Sequence, residues 1–141
     1  MAAVLDVTQG DGPHSPERTA ATANLIADAV RFLNYATMPA DNAPGISYPG
    51  DVDRVLGSLA SAATGLQQTL GQCADSLRSD LAAGGLRLDP GRPFADHPAA
   101  AVDSACFSLE QAVAACGNLR AALDAARRTT AGMSMSDGEE D

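Results

Sequence analysis

Residues 48–85 read YPGDVDRVLGSLASAATGLQQTLGQCADSLRSDLAAGG, and this stretch decides the fold. Val52, Val55, Leu56, Leu59, Ala62, Ala63, Leu66, Leu70, Cys73, Ala74, Leu77 and Leu81 recur in steps of three and four, the period of one buried helix face. Asp51 and Asp53 fall in the first turns, where the helix dipole favours negative charge. Gly84-Gly85 offers the left-handed cap that ends a helix. The stretch reads as a single helix of about 50 Å.

A second long helix follows. It starts at Asp96-His97-Pro98 and carries Val102, Ala105, Cys106, Leu109, Ala112, Val113, Cys116, Leu119, Leu123 and Ala126 on one stripe. Arg127 and Arg128 sit in its last turns and Gly132 closes it. On the N-terminal side, Ser15-Pro16-Glu17 combines a cap, a proline at the first helical position and an acid in the first turn. Leu25, Ile26, Ala29, Phe32, Leu33 and Ala36 then recur until Pro39 stops the helix. This first helix is about 33 Å long. Short connections make consecutive helices antiparallel. The expected fold is therefore all-α, an antiparallel three-helix bundle over residues 15–132, with a long hairpin and a shorter first helix. Residues 1–14, with Gly10, Gly12 and Pro13, read as a flexible leader, and residues 133–141 as an acidic disordered tail.

Composition agrees. Of 141 residues, 29 are alanine and only 4% are aromatic, which favours helix and leaves little material for a sheet. Eighteen acidic residues face nine arginines, with no lysine, for a formal charge of -9. A nucleic-acid-binding face needs clustered cations, so no nucleic-acid partner is expected; Arg120, Arg127 and Arg128 form the one local cluster. Every apolar run is broken by Asp, Arg or Gln within a few residues, which argues against a membrane span. Met1 to Gly10 lacks the basic start and apolar run of a signal peptide, so a cytoplasmic location is expected.

The unequal helix lengths pose a question. The short first helix leaves residues 72–83 and roughly 98–110 without a third helix over them. The 84–97 connection, carrying Leu86, Leu88 and Phe94, is one candidate cover; a second copy or a partner helix is the other. Phe107 lies off the core stripe at this end and, with Phe94, Leu86 and Leu88, marks an expected interface. Gly57, Ser61 and Gly65 fall four apart on the second helix, a spacing that admits close packing by the first helix or by a partner.

Catalytic chemistry finds little foothold. Cys73, Cys106 and Cys116 all fall on core stripes and read as reduced packing residues, although Cys73 and Cys106 lie near one height in the hairpin. His14 sits in the leader and His97 before Pro98, where a helix-start role suits it better than general base. No C-x-x-C, Cys/His cluster or Glu-x-x-His pair is present, so no metal site, catalytic set or cofactor is expected.

Arg31 to Thr37 (RFLNYAT) and Tyr48 to Leu59 (YPGDVDRVLGSL) resemble short helical proteins that recur in actinomycete genomes and mobile elements. The resemblance covers about residues 31–70, implies a bacterial, cytoplasmic helical protein, and brings no catalytic residues. The small helical-hairpin secretion substrates of actinobacteria do not fit: their Trp-x-Gly turn is impossible without tryptophan, and their Tyr-x-x-x-acid tail signal is missing. The expected function is non-enzymatic, exercised through protein–protein contacts as an accessory, adaptor or regulatory subunit. The alternatives are a structural component of a phage-like or injection particle, and a small enzyme with its site at the open end of the bundle.

Overall fold

The computed structural model describes residues 13–39 and 44–136. The expected leader, but for residues 13 and 14, and the acidic end from residue 137 lie outside the described residues. The architecture is all-α, with no strand among the described residues. Three helices follow in chain order: α1 (Pro16–Ala36), α2 (Pro49–Ala82) and α3 (Pro98–Thr130). The chain divides into two compact units, one through Ser47 and holding α1, the other from Tyr48 and holding α2 and α3.

In the first unit, the Ser15 hydroxyl accepts the Arg18 N–H at 3.1 Å and Pro16 occupies the first turn, as the sequence leads one to expect. At the other end the Thr37 N–H and hydroxyl both reach the Leu33 carbonyl, at 2.9 and 2.8 Å. Gly45 lies so close to the Ala36 carbonyl that a Cβ there has no room. None of the residues of α1 is buried.

In the second unit, α2 and α3 are long enough, at 34 and 33 residues, to run side by side over about 50 Å. Asp51 accepts the Tyr48 N–H at 3.1 Å and Arg54 at 2.7 Å, tying down the start of α2. Gly84, at φ 74, takes the left-handed conformation and sends its N–H to the Leu81 carbonyl at 3.0 Å. Three cross-helix bonds show the antiparallel register. Gln67 reaches Val113, Cys106 Sγ donates to the Ala74 carbonyl, and Arg127 meets Asp53.

The hairpin core is built from small residues. Ala60, Ala63, Ala74, Val102 and Cys106 are its buried members. On each helix the contact positions recur every seven residues, alternating steps of three and four, the spacing of two helices wound about one another. In α2 this seam runs through Leu56, Ala60, Ala63, Gln67, Leu70, Ala74 and Leu77; in α3 it runs through Val102, Cys106, Leu109, Val113, Cys116, the exposed Arg120 and Leu123. Ala60 belongs to the core although the sequence stripe omits it. Ala62, Cys73, Leu119 and Ala126, placed on that stripe, are exposed because they stand beside the seam.

The connection answers the question of the open end. Leu86 packs with Leu77, Leu81 and Leu109 against the buried cluster of Ala74, Val102 and Cys106. The chain's own connection thus supplies one apolar side chain to the end that the sequence leaves uncovered, while Phe94 and Phe107 remain exposed there.

Candidate interaction surface

The flanks of the seam differ sharply in chemistry. On one side α2 presents Gly57, Gly71 and Arg78, and α3 presents Glu110, Gly117 and Asp124. Here the charges are spent on one another. Arg78 pairs with Asp75 at 3.2 Å and Glu110 at 2.9 Å, and Arg120 with Asp124 at 3.6 Å. A shallow groove of about 250 Å³ runs along this side, lined by Leu70, Gly71, Ala74, Asp75, Arg78, Leu109, Glu110 and Val113. A wider, open depression of about 370 Å³ is lined by Asp53, Asp124, Arg127, Arg128 and Ala131. Within it, Asp53 accepts from Arg127 Nε at 3.3 Å and from the Thr130 hydroxyl at 3.3 Å.

The other flank carries no charge from residue 52 to residue 73. α2 contributes Val52, Leu59 and Leu66; α3 contributes Ala105, Ala112, Leu119 and Ala126. The leucines are only half-buried by the hairpin itself, and Leu119 is 51% exposed. One helix therefore offers large side chains and the other mainly small ones, on the same face.

The aromatic residues lie outside the core. Phe32 is 74% exposed, Tyr35 70%, Tyr48 65%, Phe107 63% and Phe94 45%, and these are all the aromatics of the chain. On α1, Leu25, Ile26, Ala29, Phe32 and Leu33 fall on one side, and Asp28, four residues before Phe32, stands at the edge of that side and pairs with Arg31 at 3.2 Å.

The residues singled out from the sequence fall as follows. Leu86 is in the hairpin core, Leu88 is half-buried, and Phe94 and Phe107 are exposed. Phe94 also takes a left-handed backbone, φ 66, which a bulky residue adopts only under constraint; its carbonyl accepts the His97 N–H at 2.7 Å. Of the glycine spacing, only Gly57 meets a close neighbour, the Arg127 guanidinium, 3.1 Å from where a Cβ would stand. Gly65 faces open space, and the Ser61 hydroxyl donates to the Gly57 carbonyl at 3.1 Å. The second close approach is at Gly117, which the sequence reading passes over: Gln67 Nε2 stands 3.0 Å from a Cβ built there.

The three cysteines are free, with Cys73 exposed, Cys116 half-buried and Cys106 buried, so Cys73 does not face Cys106 across the seam. His97 caps α3 through its backbone position, without a side-chain bond to the helix. Among the described residues, no three His, Cys, Asp or Glu side chains gather where they could hold a metal ion. Among the same residues, no helix is long and apolar enough to cross a membrane. Comparison with known proteins adds no relative: no family model matches the chain, and neither does any curated protein or solved structure.

Proposed function

We propose that the protein is a non-enzymatic helical subunit that works through protein–protein contacts, as an accessory, adaptor or regulatory component. The observation that carries this reading is the placement of the aromatic residues: every one is on the surface, while alanine, valine and cysteine fill the core. Phenylalanine and tyrosine supply the largest apolar area per residue and are the usual anchors of protein interfaces. A chain that spends them on its surface forgoes roughly 1.5–3 kcal/mol of burial for each large side chain, which a partner recovers on binding. Eighteen acidic residues against nine arginines, a formal charge of -9, favour a protein partner over a nucleic acid. Three free thiols support a reducing, cytoplasmic setting.

The test is capture from an extract of the native host with wild-type chain, Phe32→Asp and Phe107→Asp, each variant first checked for wild-type helicity by circular dichroism. The expected result is a defined protein partner, identified by mass spectrometry, that at least one variant no longer retains. An identical set of bound proteins for all three chains overturns the reading.

A further inference from the structure

We propose that the uncharged face of the hairpin pairs two copies of this chain about a two-fold axis parallel to the helices, an inference that rests on the protein-contact reading above. The face is complementary to itself. Its α2 edge carries Leu59 and Leu66, and its α3 edge carries Ala105, Ala112 and the half-exposed Leu119, which comes level with Leu59 of the second copy. The two-fold axis lays α2 of each copy antiparallel on α3 of the other without changing heights along the bundle. Gln67 meets Val113 and Ala74 meets Cys106 within one hairpin, so residues whose numbers sum to about 180 share a level. Leu66 of one copy therefore arrives between Ala112 and Ala115 of the second, a large side chain over small ones, and the symmetric contact repeats it.

Charge points the same way. Between residues 52 and 73 this flank holds no Asp, Glu or Arg, so pairing desolvates no ion; the opposite flank holds Arg78, Glu110 and Asp124, already engaged within the chain. The area suffices. A strip about 33 Å long and about 20 Å wide gives roughly 650 Å² per copy, about 1,300 Å² in all, above the roughly 1,000 Å² that a specific interface requires. Four helices then enclose leucines that two helices leave half-open.

Sedimentation equilibrium of the full chain over a wide dilution series tests this. The expected mass approaches twice the 14.3 kDa of one chain and falls towards 14.3 kDa on dilution. Leu66→Glu is expected to abolish the heavier species while keeping helicity by circular dichroism, and Ser61→Glu, on the far side of α2, to leave it intact. Should Leu66→Glu not fold, a second measurement decides: on a Cys73→Ser background, chains carrying Leu66→Cys are mixed with chains carrying Ala112→Cys and oxidised. A mixed covalent dimer supports the pairing, and its absence overturns it. A wild-type chain of 14.3 kDa at every concentration also overturns it, leaving the face to a different occupant, whereas the contact reading itself stands or falls by the capture experiment.

Discussion

Gln67 donates its side-chain amide to the main-chain carbonyl of Val113 at 3.2 Å, bridging the two long helices over a place where Gly117 leaves room. A methyl group at Gly117 would stand 3.0 Å from Gln67 Nε2 and press on that bond. Alanine in a helix interior is favoured over glycine by about 1 kcal/mol, and a lost hydrogen bond costs about 0.5–1.5 kcal/mol. Gly117→Ala is therefore expected to gain nothing in stability. Gly65→Ala, which meets open space, is expected to gain about 0.5–1 kcal/mol. Urea denaturation of the two variants checks the contrast; equal gains would show that Gln67 holds no fixed place.

Asp53 gathers two partners from the end of α3, Arg127 at 3.3 Å and the Thr130 hydroxyl at 3.3 Å. Its side chain is 25% exposed and that of Arg127 40%, so solvent screens the pair only in part. Asp53→Ala is expected to cost about 1–2 kcal/mol, because Arg127 and Thr130 both lose their acceptor. A double-mutant cycle with Arg127→Ala should return a coupling of about 0.5–1 kcal/mol that shrinks in high salt. A coupling of zero would mean that the two residues fold independently.

Much of this architecture is legible in the sequence, and the legible parts are local. Ser15-Pro16-Glu17 and Gly84 mark helix ends because capping depends on a few adjacent residues. The register of the hairpin also follows from counting, since equal helices joined by one loop meet near a fixed residue sum. What the sequence blurs is the difference between the seam and its flank. A stripe read at three- and four-residue steps is broad enough to include Cys73 and Leu119, yet the contact line is narrower and passes through Ala60 instead. Alanine carries too weak a signal to say which of several neighbours is inside.

The polar seam residues held the missing clue. Gln67 and Asp53 interrupt the otherwise apolar seven-residue repeat of α2, and each turns out to bridge the helices. Their partners, Val113 and Arg127, lie 46 and 74 residues away, which no local pattern reveals. The Gly57 and Gly117 vacancies belong to the same bridges. A glycine spacing alone points to close backbones, whereas here the space is filled by a guanidinium and an amide.

Glu17 gives α1 a pH dependence. Its own backbone N–H and then the Ser15 hydroxyl hold its carboxyl below the ordinary value of 4.5. A carboxyl with a lowered folded pKa contributes stability that is present above its unfolded pKa and lost as pH falls through the folded one. The first turn of α1 is therefore expected to fray below about pH 4.5. Backbone amide shifts of Glu17 to Thr19 should follow that loss in an acid titration by NMR. Glu17→Gln should flatten the titration; an unchanged profile would place its origin elsewhere.

Cys106 is buried against the Ala74 carbonyl, with Sγ 3.7 Å from the oxygen, while Cys73 is exposed and Cys116 half-buried. In dilute solution a thiol reagent is expected to modify Cys73 first, Cys116 more slowly, and Cys106 only as the hairpin opens. The same arrangement leaves no cross-link to reduce. A disulfide contributes about 2–4 kcal/mol, which in a chain of this size shifts the melting temperature by several degrees. The melting temperature should therefore be the same with and without reductant. Cys106→Ser places a hydroxyl in an apolar cluster among Ala74, Val102 and Leu109. That variant is expected to lose about 1–2 kcal/mol, whereas Cys73→Ser should change stability by less than about 0.5 kcal/mol. Equal losses at the two positions would mean that Cys106 is not the buried member of the set.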